Sequence, residues 1–390
     1  MASIIAQLEI ALLVTAIVGM LAHRLRVPTT VGLVLAGIAL ALVPRAISIT
    51  LTRDLIFDAF LPPLVFEASL YINWRDLRRD LALILTLATL GVLLTAGVTT
   101  VGMHYFAHWS WEGALLFGIL MSATDPVSVI ATFKEAGMRG RLRLLLESES
   151  LLNDGIAAVA FSMMMLFLTG AKATAGGIGL TLATTIAGGI LCGAAITCGI
   201  LLLAGQTKDH LTEITLTTVA AYGSFLLADR LHLSGVFASL TAGLIVGNAG
   251  FIWSISSREA VISFWEYAAF VANAFIFILI GIQTGKQHFT GFGTLVPIAV
   301  AVTLLGRAVA IYPCCALFVR SRLRVEPRYQ HILFWGGLRG ALALALALGL
   351  PPELSYRQEI IATTFVIVAF SIFAQGLTTL PLLRWLRAIS

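Results

Sequence analysis

The chain has 390 residues, of which 59% are hydrophobic and 12% are charged, and its formal net charge is +5. Because soluble domains have about 25% charged residues, this composition excludes a soluble globular protein and predicts an all-α protein that crosses a bilayer many times. The basic residues lie in short loops between apolar stretches, which argues against a nucleic-acid partner. The cysteines have no zinc or disulfide spacing, and we expect them to be small buried apolar residues: Cys192, Cys198, Cys314 and Cys315.

About thirteen stretches of the sequence are apolar over a length that can span a bilayer. In chain order they cover residues 6–23, 28–43, 54–71, 80–104, 113–134, 144–168, 175–204, 210–228, 233–248, 259–284, 293–319, 329–349 and 358–383. The second and the ninth are the shortest. The sequence therefore predicts a polytopic bundle of about thirteen transmembrane helices.

The distribution of Lys and Arg predicts the orientation of the chain. The loops after odd-numbered stretches, with the C-terminus, contain seventeen of the 25 basic residues, and the opposite loops contain six. Since basic residues are retained on the cytoplasmic side, we expect the N-terminus outside and the C-terminus in the cytoplasm. The other two basic residues, Arg307 and Arg339, fall inside apolar stretches and need partners at membrane depth.

Acidic residues also occur in or beside the apolar stretches. The segment Leu145 to Ala160 contains three carboxylates, Glu147, Glu149 and Asp154. A charge at membrane depth costs about 2.5 to 3.5 kcal/mol on insertion scales, so these residues are functional candidates by default. Two further residues, Glu213 and Glu266, lie near helix starts, where a cation-attracting funnel and a solvated helix end are both open interpretations.

Two positions predict interrupted helices. Pro126 disfavours helical geometry at Asp125 in the fifth stretch, and Trp335-Gly-Gly-Leu-Arg-Gly340 interrupts the twelfth. Taken alone, the first could be a kink and the glycines could serve helix packing. One break in each half of the chain, however, is typical of inverted-repeat transporters. Broken backbone at this depth surrounds a cavity, where nearby oxygen atoms can bind a cation: those of Ser122, Thr124 and Ser128.

Six sequence blocks, in family order, resemble the sodium/proton antiporters of the NhaP and NHE type within the monovalent cation/proton antiporter superfamily. The blocks are FLPPLVFEA (60–68), SATDPV (122–127), ESLLNDG (149–155), FWEYAAFVAN (264–273), GR (306–307) and WGGLRGA (335–341). Each block alone is weak evidence, but the set covers most of the chain and is specific.

The resemblance implies the NhaA/NhaP-like fold, with inverted repeats, two interrupted helices that cross, and a homodimer. Residues 1–78 and 207–290 would form the dimer-interface domain. Residues 79–170 and 291–390 would form the core ion-transport domain, and residues 171–206 a linker helix. The protein would lie in the plasma (inner) membrane.

The resemblance also assigns site residues. The transported cation, sodium or lithium, would bind to Thr124, Asp125, Ser150 and Asp154, with Asp154 as the essential carboxylate. Asn153 beside it would be linked to Glu67, and Glu149 would pair with Arg307. Arg339 would bond the carbonyls freed at the helix crossing. Two departures are Glu67, where many animal exchangers have Asp, and an end at Ser390 without their long cytoplasmic tail, which favours a prokaryotic-type transporter.

The predicted mechanism is competition. One carboxylate that holds either a proton or a cation would couple the two fluxes while the core domain rocks, with one proton exchanged for one cation. Oxygen ligands suit an alkali cation, and neither a cofactor nor enzymatic activity is expected. Potassium in the same fold remains an alternative. A channel would need a filter that the sequence lacks, and an intramembrane aspartyl protease would need Gly-x-Gly-Asp where this chain has Leu-Leu-Asn-Asp.

Overall fold

The computed structural model describes residues 4–25, 27–43, 49, 51–125, 130, 133, 140–168, 175–251, 254–286, 294–354, 356–386 and 388. These residues form helices joined by short connections, and no β-strand occurs among them. The helices are α1 (Ile4–Leu25), α2 (Thr29–Ala41), α3 (Leu61–Leu70), α4 (Trp74–Ala107), α5 (Trp111–Leu120), α6 (Arg141–Leu168), α7 (Ala175–Ala204), α8 (His210–Arg230), α9 (Gly235–Ile245), α10 (Arg258–Lys286), α11 (Leu295–Leu317), α12 (Pro327–Trp335), α13 (Ala341–Leu348), α14 (Arg357–Phe370) and α15 (Gly376–Trp385).

Three π-helical segments extend or join these helices. Leu55–Phe60 leads into α3, Val246–Gly250 continues α9, and Ser371–Gln375 joins α14 to α15. Counting such continuous helices as one, eight spans in the described part of the chain are long and apolar enough to cross a membrane, and three shorter helices are also apolar. The prediction of an all-α integral membrane protein is confirmed. The exact number of thirteen crossings stays a prediction.

Both predicted interruptions occur at the expected positions. Helix α5 ends at Leu120, and residues 121–125 are not helical. Pro126 and Ser128, which were part of this prediction, lie outside the described residues. In the second interruption, residues 336–340 separate α12 from α13.

The chain divides into two compact units. Unit 1 comprises Met1–Ile56, Leu83–Ser150 and Ala274–Ser390, and unit 2 comprises Phe57–Ala82 and Leu151–Asn273. The boundary falls inside α6, directly after Ser150, although the helix itself is continuous. Unit 1 contains both interruptions. The predicted division into dimer-interface and core domains stays a prediction.

The interior of unit 2 is apolar and closely packed. A methyl group at Gly193 of α7 would lie 2.9 Å from Cα of Ala238 in α9, and one at Gly243 would lie 2.6 Å from the carbonyl oxygen of Phe66. Helices approach so closely only where small residues face each other. The ring of Phe66 packs against that of Trp265 with centroids 4.4 Å apart.

Two polar side chains fix the loops of unit 2. Glu213 of α8 is fully buried and accepts hydrogen bonds from the backbone N–H of Ser256 (3.0 Å) and of Ser257 (2.8 Å), just before α10 begins. Both interpretations of Glu213 as a solvent-facing group are therefore wrong, because its carboxylate is buried against the loop that precedes α10. Asn248 donates to the carbonyl oxygen of Ile72 (2.9 Å) and accepts from the N–H of Trp74 (2.8 Å).

The cysteines only partly follow the prediction. Cys314 and Cys315 of α11 are buried free thiols, as expected. Cys198 of α7 is exposed at the surface, so the expected burial is wrong for this residue. An apolar thiol can face lipid hydrocarbon, so in a membrane protein it need not be buried inside the protein.

Candidate functional site

The two interruptions in unit 1 contact each other through their backbones. The N–H of Asp125 donates to the carbonyl oxygen of Leu338 over 2.8 Å. Gly340 also faces Asp125, because a methyl group at residue 340 would lie 2.6 Å from its carboxyl carbon. Only glycine permits this close approach. The sequence Gly-Leu-Arg-Gly therefore lies against the end of α5 as a non-helical segment.

Arg339 satisfies the carbonyl groups that the first interruption frees. Its Nη1 donates to the carbonyl oxygen of Ala123 over 2.9 Å, with a longer contact of 3.5 Å to that of Ser122. The side chain is 3% exposed. Its charge thus lies inside unit 1, where the dipoles of carbonyl groups stabilise it. The resemblance implied bonds of this kind from Arg339, whereas its role in transport stays a prediction.

Ser150 joins α6 to the same interruption. Its hydroxyl donates to the carbonyl oxygen of Thr124, and both residues are buried. Three of the four predicted cation ligands, Thr124, Asp125 and Ser150, therefore lie together in unit 1. The fourth, Asp154, lies one turn further along α6, so it projects from the same face of that helix as Ser150.

Glu149 and Arg307 form the buried ion pair that the family resemblance implied. Arg307 Nη1 and Nη2 donate to the two carboxylate oxygens of Glu149 over 2.7 and 3.0 Å, and Nη2 also donates to the carbonyl oxygen of Leu333 over 3.0 Å. Only 5% of the Arg307 side chain and 2% of the Glu149 side chain are exposed. Such bidentate pairs are the strongest in proteins, and this one connects α6, α11 and α12.

Other candidates are further along the helices. Glu147 pairs with Arg143 one turn earlier in α6 at 2.7 Å, as an ordinary i, i+4 ion pair, which explains its charge without a transport role. In unit 2, Asn153 is buried in α6 and Glu67 is partly buried in α3.

The contact of Gly337 with the ion pair was not predicted from the sequence. A methyl group at Gly337 would lie 2.7 Å from the Arg307 guanidinium carbon. The glycine thus makes room for the arginine. The available signal was a Gly-Gly pair next to an interrupted helix in a chain with a buried Arg, but the sequence could not specify which charge the glycine accommodates.

The chemistry of this region follows from the type of its donors. Carboxylate, hydroxyl and carbonyl oxygens are the ligands that alkali cations prefer. Both buried arginines are held by fixed oxygen partners, Arg307 by Glu149 and Arg339 by backbone carbonyls. A carboxylate among these donors can hold either a proton or a cation.

The fold and this site define a class of protein. Apolar helices that are interrupted at membrane depth, with polar groups gathered at the breaks, are characteristic of secondary transporters. The solved structure of the sodium proton antiporter MjNhaP1 from Methanocaldococcus jannaschii at pH 8 has the same fold. Its TM-score is 0.76 at 20% identity, over 97% of this chain and 95% of that one.

Sequence comparison gives the family. The profile described as "Sodium/hydrogen exchanger, transmembrane" matches residues 10–385, and the chain belongs to this family. The Na(+)/H(+) antiporter ApNhaP of Aphanothece halophytica is 38% identical over 357 residues, 90% of this chain and 68% of that protein. The low-affinity Na(+)/H(+) antiporter NhaS1 of Synechocystis is 37% identical over 372 residues, 93% and 70% of the two chains. The resemblance inferred from the six blocks is confirmed. Members of this family are transporters rather than enzymes, and their ions are substrates that need no cofactor.

Proposed function

We propose that this protein exchanges sodium or lithium for protons across the plasma (inner) membrane. Family membership and the relatives called Na(+)/H(+) antiporters support this proposal. The observation that carries it is the oxygen-rich contact of Thr124, Asp125 and Ser150 at the interruption in unit 1. An apolar membrane protein has no packing reason to gather such groups where the helix is broken.

Within this proposal, Asp154 is the group for which the proton and the cation compete. It is a carboxylate on the same face of α6 as Ser150, one turn away. Asn153, its neighbour, cannot titrate, and Arg307 stays charged. One exchangeable charge then implies electroneutral exchange of one proton for one cation. Asp125, Ser150 and Thr124 complete the oxygen ligands, and Asn153, Glu67, Glu149, Arg307 and Arg339 support the site.

The proposed cycle is alternating access in a homodimer. Residues 79–170 and 291–390 would move as the ion-carrying core, while residues 1–78 and 207–290 hold the dimer, with the N-terminus outside and the C-terminus in the cytoplasm. The support is the loop charge distribution and the two interrupted helices, which repeat-based transporters use for sites near the bilayer midplane.

The test is exchange in proteoliposomes that contain the purified protein. Sodium, lithium and potassium are offered in turn against a pH gradient, at several clamped membrane potentials. We expect saturable, sodium- or lithium-driven proton movement whose equilibrium position does not change with voltage. Transport of potassium alone would assign the alternative substrate, and flux that persists without a counter-ion would contradict antiport.

A further inference from the structure

A small cavity lies in unit 1 beside the Glu149–Arg307 ion pair. It is bounded by α11, by the non-helical segment 336–340, by α14 and by the π-helical segment Ser371–Gln375. Besides apolar side chains, its walls contain polar and glycine positions: Thr303, Arg307, Gly337, Arg339, Ser371 and Gln375.

Two polar atoms of residues in this wall are buried without a hydrogen-bond partner among the described residues. They are Oγ1 of Thr303 and Nε of Arg307. Both residues are 4% exposed. They are one turn apart on α11 and therefore share a face of that helix. Buried polar groups are nearly always bonded to protein or to ordered water, so two such atoms at one cavity indicate a ligand.

The shape of the cavity fits this indication. Gly337 forms one wall of the cavity, and its lack of a side chain lets the backbone approach the Arg307 guanidinium closely, because a methyl group there would lie 2.7 Å from the guanidinium carbon. On another wall, Gln375 is held by a 3.1 Å bond from its amide nitrogen to the carbonyl oxygen of Trp335. Ser371 is buried one turn before it. The polar atoms thus surround a space of about one water molecule.

We propose that this cavity binds one ordered water molecule. The water accepts the Nε–H of Arg307 and bonds the hydroxyl of Thr303, with Ser371 and Gln375 as further partners on the opposite wall. Every nitrogen of the Arg307 guanidinium is then hydrogen-bonded. The water also connects the ion pair to the π-helical segment Ser371–Gln375.

Replacement of Thr303 distinguishes a hydrated cavity from a dry one by the sign of the effect. Removing an unsatisfied hydroxyl at constant shape is neutral or stabilising, whereas removing a water's partner is destabilising. We expect Thr303→Val to lower the melting temperature of the detergent-solubilised protein by about 2 °C or more, and Thr303→Ser to restore most of the loss. Thr99→Val is the matched control. The Thr99 hydroxyl is also buried without a partner among the described residues, but Thr99 is not part of the cavity wall, so this variant should melt at or above the parent temperature. If Thr303→Val behaves like Thr99→Val, the proposal is wrong.

A high-resolution map of the parent protein gives the direct test. We expect density for one water within hydrogen-bond distance of both Thr303 Oγ1 and Arg307 Nε, and its loss in Thr303→Val. A map without density there would overturn the proposal. So would a halide, since two arginines line the cavity. Crystals with bromide in place of chloride should therefore give no anomalous peak at this position, and melting should be the same in chloride and gluconate.

Discussion

The interiors of the two units differ in the kind of contact that stabilises them. Unit 2 packs apolar side chains around glycines such as Gly193 and Gly243, and its core contains the Phe66–Trp265 aromatic pair. Unit 1 buries an ion pair, a second arginine and two interrupted helices. The ion pair and the second arginine are held by specific oxygen partners, because a buried charge without them would cost several kcal/mol.

The two kinds of interior should respond differently when one contact is removed. Close packing of apolar side chains stabilises a helix bundle through many small contacts. A polar interior depends on a few contacts, each with a large effect. A polar interior also contains titratable carboxylate oxygens, which purely apolar packing lacks. A substitution at a charged contact of unit 1 should therefore change the melting temperature more than a substitution in the apolar packing of unit 2.

The largest effect is expected from Arg307→Ala. It removes one partner of a bidentate pair of which almost nothing is exposed and leaves the Glu149 carboxylate buried. Breaking such pairs commonly costs about 3 to 5 kcal/mol. The melting temperature of the detergent-solubilised protein should fall strongly, whereas the apparent sodium affinity should change less.

A double variant tests whether this loss comes from the stranded charge. Glu149→Leu together with Arg307→Met removes both charges, and buried pairs can often be replaced in this way at little cost. The double variant should be more stable than either single variant. Simple addition of the two single losses would mean that the residues do not act as a pair.

An intermediate effect is expected from Gly193→Ala in unit 2. The new methyl group would overlap the backbone of Ala238 in the neighbouring helix, and overpacking typically costs about 1 to 3 kcal/mol. Gly199→Ala in the same helix is the control, because a methyl group there meets nothing within 4 Å and alanine is the better helix former. Thermal melting of both should give opposite signs; equal shifts would refute close packing at Gly193.

The smallest effect is expected at Asp209, outside both interiors. Hydrogen bonds from the hydroxyl and then the N–H of Thr212 lower the pKa of this exposed N-cap carboxyl. A lowered pKa stabilises the fold at pH values above the unfolded-state pKa of about 3.9, and this contribution is lost as the pH falls through the folded-state value.

Melting curves from neutral to acidic pH check this sign. Asp209→Ala should melt slightly below the parent at neutral pH, and the gap should narrow as the solution is acidified. Asp209→Asn keeps an N-cap acceptor but cannot titrate, so its melting temperature should stay close to that of the parent at neutral pH. A gap for Asp209→Ala that widens on acidification would contradict the assignment.

The sequence was most informative at residues that restrict the backbone or that need a partner when they are buried. Asp125 before a proline and the glycines around Arg339 predicted both interruptions, because these residues disfavour helix continuation. Charge balance at membrane depth indicated that Arg307 needed a carboxylate. The family resemblance identified Glu149 as the partner, and the structure has this pair.

The sequence could not predict features that depend on three-dimensional approach. Nothing in its pattern distinguishes the buried Glu213, which bonds to the loop that precedes α10, from a solvated carboxylate. The π-helical segment Ser371–Gln375 has no periodic signal in an apolar stretch. The position of Gly337 against a guanidinium also depends on the mutual placement of α11 and α12, which hydrophobic pattern alone does not determine.

The most direct test of the account concerns Asp154→Asn, which keeps the size of the side chain but removes its titratable charge. Sodium-driven proton exchange in proteoliposomes is measured beside melting curves with and without sodium. The account predicts no exchange, a sodium-free melting temperature at least equal to that of the parent, and loss of the sodium-induced stabilisation, which for the parent is about 2.7 kcal/mol at one hundred times Kd. Exchange near the parent rate in this variant would contradict the account and make Asp125 the next candidate for the coupling carboxylate.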